Sequence, residues 1–211
     1  MYSPNFGAAF EAVMRDSDVT LRDAWQIAFR PFIGEYASRL IDIAERHIRR
    51  ADLQLTLAGE SDRQRPSTWR TWIVADDRDL SSPLGLLVDM ARESLESLLE
   101  TASLNADARL RAWAASDVTL LRRLAVYGWT IRSDKTAEEK ITWLISTGWL
   151  HNYELRGEAT RLILATCGTA DEDAIAALVE DIRQHWNDDQ YAPHRAYELL
   201  MSLEKVLKDE A

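Results

Sequence analysis

One helical phrase is written twice in this chain. Leu120-Leu121-Arg122-Arg123-Leu124-Ala125 and Glu154-Leu155-Arg156-Gly157-Glu158-Ala159 share an order of apolar, cationic and small residues, with Leu121 and Leu155 34 positions apart. That period belongs to two-helix repeats. A helix pair with one apolar face buries it only against the next pair, so repetition constrains architecture more than chemistry. Thr136-Ala137-Glu138-Glu139 and Thr169-Ala170-Asp171-Glu172, 33 positions apart, both read as capping boxes opening a helix. The pattern predicts three helix pairs at roughly 105–131, 136–166 and 169–207. Leu110, Leu144 and Leu178 lie in the first helices; Arg122, Arg156 and Arg195 stand near the starts of the second.

Upstream the periodicity is also helical. Ser3-Pro4 predicts a first helix carrying Phe6, Phe10, Val13 and Met14 on one face. Leu21, Trp25 and Ala28 form the next stripe, which Pro31 is expected to break or kink near Phe29-Arg30. Phe32, Ile33, Tyr36, Leu40, Ile43, Ala44 and His47 continue it toward Leu57, with His47 read as a core histidine. The polar stretch Gly59–Ser67 reads as an exposed loop. Ser82-Pro83 opens a helix with Leu84, Leu87, Val88, Ala91, Leu95, Leu98 and Leu99 on one stripe, and Asn105 and Asp117 are read as caps of the two helices that follow. The expected organisation is an N-terminal helical subdomain over 1–58, a loop or linker with a short apolar cluster over 59–81, and a repeat array over 82–211. The fold class is all-α: a short α-solenoid of antiparallel helix pairs behind that subdomain.

Composition supports this reading and narrows the partners. Eight Gly and five Pro are too few for an all-β chain with many tight turns. A net charge of −10 disfavours nucleic acid, whose phosphates need a cationic surface. The basic run Arg46-His47-Ile48-Arg49-Arg50 spreads around a helix axis instead of lining one side. The single Cys167 excludes an internal disulfide and fits a reducing compartment. The start Met1-Tyr2-Ser3-Pro4 lacks a basic n-region and an apolar h-region, and no apolar run approaches the ~18 residues of a membrane span. A cytoplasmic protein with no membrane partner is expected.

Asn152-Tyr153-Glu154-Leu155-Arg156-Gly157-Glu158-Ala159-Thr160-Arg161-Leu162-Ile163 resembles the second helix of a HEAT-type repeat: a cap, an apolar step, an Arg, then Ala and Leu on the packing face. Asp117–Leu124 and Tyr191–Leu200 resemble it more loosely. Pro83–Glu96, followed by Leu121-Arg122-Arg123-Leu124-Ala125, is similar to helical-repeat regions of large bacterial antiphage-defence proteins that carry an NTPase or sirtuin-like domain. This resemblance implies a sensor or scaffold segment of a longer chain. It carries over no activity, because neither a phosphate-binding loop nor a nicotinamide-binding motif is present.

A search for chemistry yields little. The histidines at 47, 151, 185 and 194 include no i, i+4 pair of the kind that binds zinc on a helix. His185 and His194 flank the acidic turn Asp188-Asp189, which reads as a solvated turn. Asp76-Asp77-Arg78-Asp79 resembles the diphosphate-metal carboxylates of all-helical terpenoid enzymes, but Leu80 stands where that spacing wants an Asp. Cys167, at a helix C-terminus, lacks the positive environment of a reactive thiolate. Trp129, Trp143 and Trp149 are the informative side chains. Trp143 falls off the Ile141–Leu144–Ile145 stripe, so Trp143 and Trp149 are the expected protein contacts, at least one of them substantially exposed.

The leading expectation is therefore a non-catalytic binding, scaffold or sensor module without a cofactor or metal, whose partner is a protein or other domains of the same polypeptide. The alternatives are an all-helical metal-dependent enzyme using Asp76, Asp77 and Asp79, and a small self-contained homodimeric regulator.

Overall fold

A computed structural model describes residues 22–57, 73–74, 83–101, 103–185 and 192–209. Among these the chain is helical and contains no strand. The helices are α1 (Ile33–Leu57), α2 (Pro83–Thr101), α3 (Ser103–Ala114), α4 (Thr119–Ile131), α5 (Ala137–Thr147), α6 (Arg156–Thr166), α7 (Glu172–Gln184) and α8 (Ala192–Asp209). No helix among the described residues is long and apolar enough to cross a membrane. The first helix expected from Ser3-Pro4, the Gly59–Ser67 loop, the Asp76-Asp77-Arg78-Asp79 run and the Asp188-Asp189 turn lie outside the described residues.

The chain divides into two compact units, Met1–Gly128 and Trp129–Ala211. α1 and α2, on either side of the 59–81 stretch, pack against each other within the first unit.

Pro31 produces the expected irregularity in an unexpected form. The chain runs as a π-helix over Ala24–Phe29, tightens to a 3-10 turn over Arg30–Phe32, and settles into α1. The wide turn, with the Arg30 N–H reaching back to the Trp25 carbonyl, accommodates a ring that would clash in a regular α-helix. The buried stripe of α1 is Ala37, Leu40, Ile41, Ala44, Ile48 and Ala51, rotated from the expected one. Phe32, Tyr36 and Ile43 are exposed, and His47 is a surface residue and not a core histidine. The alanines at 37, 44 and 51 occupy the stripe because small side chains let helices approach closely. On α2 Leu84, Val88, Ala91, Leu95 and Leu98 of the expected stripe are buried, and Leu87 and Leu99 are half-buried at its edge.

Polar clasps complete the first unit. Glu45 of α1 accepts hydrogen bonds from Arg49 Nε (2.9 Å), the fully buried Trp113 indole (2.8 Å) and Arg109, which also pairs with Asp42. Trp113 thus has the apolar site with one polar contact that indoles favour. Arg49 also donates to Ser116 Oγ, which accepts from the Val118 N–H just before α4. On α2, Arg92 pairs with Glu96 at 2.6 Å, and the Tyr127 hydroxyl donates to the same carboxylate. Burial and that carboxylate push the Tyr127 phenol up to about 12. Gly128 is required by packing: a Cβ there would come within 2.4 Å of Leu110 and 2.9 Å of Leu95.

The second unit holds α5, α6, α7 and α8. α5 packs on α6 and on α7, α6 packs on α8, and α7 packs on α8. α7 begins 35 positions after α5 (172 against 137), and α8 begins 36 after α6 (192 against 156). The Thr136–Glu139 capping box is present in full, and Gly148 closes α5 in the left-handed region at φ 66°. The second box is not formed as expected. Asp171, not Thr169, caps α7 by accepting from the Ala174 N–H at 2.7 Å, because Thr169 instead bonds back to the Thr166 carbonyl. Asn152 starts a 3-10 turn, Tyr153–Leu155, that runs directly into α6. Asn105 lies inside α3, and before α4 it is Ser116 that accepts from the Val118 N–H.

Candidate functional site

The tryptophan and histidine clusters of the second unit gather around the connection from α5 to α6. Gly148 ends α5 and a single 3-10 turn, Trp149–His151, follows with Leu150 buried beneath it. This turn presents Trp149 and His151.

The three tryptophans singled out by sequence come together. Trp129 and Trp143 stack with centroids 4.4 Å apart and planes 11° from parallel, and Trp149 meets Trp143 edge-on at 5.4 Å. Arg132 lies over Trp129 at 5.0 Å from the ring centroid and is clamped by Asp134 at 2.9 and 2.5 Å. The Arg132 bond holds the Asp134 carboxyl below its ordinary value. Trp143 and Trp149 are both half-buried: instead of one standing free, each covers part of the other. Such a column ties the end of α4 to α5 and to the 3-10 turn, with an aromatic contribution of about 0.5–1.5 kcal/mol per pair beyond area burial. Lys140 reinforces the corner by donating to the Thr130 carbonyl at 3.0 Å, and burial lowers its pKa.

His151 points from this turn toward α7. Its Nε2 lies 2.7 Å from Asp181 Oδ2, and its ring stacks on His185 with centroids 3.8 Å apart and planes 17° from parallel. His185 closes α7, with Nδ1 2.9 Å from the backbone carbonyl of Asp181. All three side chains are half-buried. Their ligand-capable atoms lie within 4.8 Å of one another.

Sequence reasoning missed this cluster. Asp181 and His185 are four residues apart on one face of α7, a mixed carboxylate–imidazole pair that a search for His pairs passes over. His151, 30 residues earlier, joins them only through tertiary packing. His194, exposed on α8, pairs with Glu198 at 3.3 Å and takes no part in the cluster.

Exposed apolar side chains are distributed unevenly after residue 136. Tyr153 (72% exposed), Leu164, Tyr197 (58%), Met201 and Leu207 stand on α6, on α8 or on the turn entering α6. No large exposed apolar side chain stands on α5 or α7 among the described residues. Arg156 lies over the Tyr153 ring at 5.4 Å and reaches Glu198, the neighbour of Tyr197, at 3.7 Å.

Two further features carry no chemistry. Cys167 is buried at the end of α6, and burial pushes its thiol up to about 11, opposite to the direction a nucleophile needs. A cleft of about 250 Å³ in the first unit is lined by Trp25, Gln26, Arg30, Asp89, Arg92 and Glu93. Arg30 and Arg92 both pair with Glu93 there.

Comparison with protein-family models, with curated proteins and with solved structures gives no match to this chain.

Proposed function

We propose that this chain is a non-catalytic, protein-binding scaffold module built on a short HEAT-like array of antiparallel helix pairs, with α6 and α8 as its contact layer. The single observation that carries the reading is that Tyr153, Leu164, Tyr197 and Met201 are exposed on α6, on α8 or on the turn entering α6, whereas no large apolar side chain among the described residues is exposed on α5 or α7. Tyrosine, methionine and arginine are enriched where proteins meet, because they offer large area with a polar handle. The Arg156 bridge between Tyr153 and Glu198 pre-orders part of this surface before a partner arrives. The pairing of α5 with α7 and of α6 with α8 supports the repeat reading, as does the bond from the Asp171 N–H to Glu138 at 3.1 Å, which links the caps of the two first helices. The partner is a protein or another domain of the same polypeptide.

A photo-crosslinking amino acid placed at Tyr197 and, separately, at Glu180 on α7 tests the assignment in the source cells. Adducts at position 197 and none at 180 are expected. Equal labelling at both positions, or none at 197, would overturn it. An adduct of twice the monomer mass at 197 would identify a second copy as the partner.

A further inference from the structure

We propose that His151, Asp181 and His185 form a binding site for a divalent transition-metal ion of the zinc type, clamping the Trp149–His151 turn to α7. The geometry supplies three arguments.

The first is the tautomer of His185. Its Nδ1 faces the Asp181 carbonyl oxygen at 2.9 Å, and a carbonyl only accepts, so the proton sits on Nδ1. In the neutral ring the lone pair is then on Nε2. A metal-binding histidine characteristically has its second nitrogen tied to a backbone carbonyl in this way, which fixes the tautomer and raises the basicity of the ligating atom.

The second is the contact between His151 Nε2 and Asp181 Oδ2 at 2.7 Å. A cation replacing the shared proton finds a nitrogen and an oxygen ligand side by side. Donors on a tetrahedral ion with bonds of about 2.1 Å lie roughly 3.4 Å apart; one ring nitrogen or carboxylate oxygen of each side chain already falls within 4.8 Å of the others, and His185 must turn its Nε2 toward the ion. Closing the remaining gap is a matter of side-chain rotation. The two stacked imidazoles must turn out of parallel, since a ligated ion lies in the plane of each ring.

The third is the donor set. Two imidazoles and one carboxylate suit zinc and its neighbours, whereas magnesium and calcium take oxygen ligands. Three protein donors leave a fourth position for water or for a side chain from a partner. The half-burial of the cluster limits competing hydration without sealing the entry path.

The test is calorimetric titration of the full chain, purification tag removed, with Zn²⁺ and then with Mg²⁺. One zinc per chain is expected, with no heat from Mg²⁺. His151→Gln and His185→Gln should each weaken zinc binding at least about tenfold, while His194→Gln leaves it unchanged. Circular dichroism of each variant establishes that its helices are intact. Titration with Co²⁺ gives a second readout, a ligand-field band without the thiolate charge-transfer absorption that Cys167 would add. Absence of zinc binding to the wild-type chain, undiminished binding in the folded His151 and His185 variants, or equal binding of Mg²⁺ would each overturn the assignment.

Discussion

Glu45 shows how a single carboxylate fastens two helices. Burial alone would raise its pKa, but the hydrogen bonds from Trp113, Arg49 and Arg109 outweigh that and hold it below its ordinary value of 4.5. A carboxyl with a lowered folded-state pKa contributes stability above its unfolded pKa and loses it as pH falls through the folded one. Glu45→Gln is therefore expected to destabilise the chain by about 1–2 kcal/mol at neutral pH, the range for hydrogen bonds to a charged group discounted for the part-exposed Arg49. Urea denaturation followed at several pH values checks this. The gap between wild type and variant should narrow below pH 4.5, and a gap independent of pH would count against the charge being responsible. Little of this was legible in the sequence. The run around Arg46–Arg50 reads as a solvated face, and only the fold reveals that Arg49 turns toward Glu45 and Ser116 while Arg46, His47 and Arg50 remain exposed.

Helix boundaries follow local chemistry where the signal is complete. Thr136 and Glu139 satisfy one another's backbone, and Glu138 extends the arrangement by accepting from the Asp171 N–H. Thr136→Ala is expected to cost about 1 kcal/mol, the usual value for losing an N-cap, read as a lower midpoint in thermal denaturation at neutral pH. Where two cap candidates compete, sequence spacing misleads: Thr169 and Asp171 both precede an acidic residue, and the turn after α6 decides for Asp171 by engaging Thr169. The phase of α1 slipped for a related reason. Large apolar residues such as Phe32, Tyr36 and Ile43 weigh heavily in a periodicity reading, whereas the interface with α2 selects the alanines beside Leu40, Ile41 and Ile48. On α2 five of the seven expected stripe residues are buried, Leu87 and Leu99 being half-buried. The Asp181–His185 pair belongs to a third kind of failure, since half of its meaning lies in a histidine 30 residues away.

Across the whole chain, the all-helical class is the most legible property. It follows from the scarcity of Gly and Pro and from apolar spacing repeated over more than a hundred residues. Division into units is less legible, because it depends on which surfaces meet and not on which segments are polar; it falls at Gly128, near the end of α4, without a turn signal. The sequence spacing of 34 between Leu121 and Leu155 stands beside start-to-start spacings of 35 for α5 to α7 and 36 for α6 to α8. The column of Trp129, Trp143 and Trp149 has an optical consequence. Indoles this close share an excited state, so their electronic transitions couple and split into a paired, oppositely signed dichroic band. Trp143 touches both other rings, so Trp143→Phe should abolish that couplet while the helical signal persists. Ultraviolet circular dichroism of the two proteins makes the comparison, and a couplet unchanged in the variant would refute the coupling. The second unit thus carries its own spectroscopic gauge, free of any dye or label, reporting whether the corner that presents His151 is assembled.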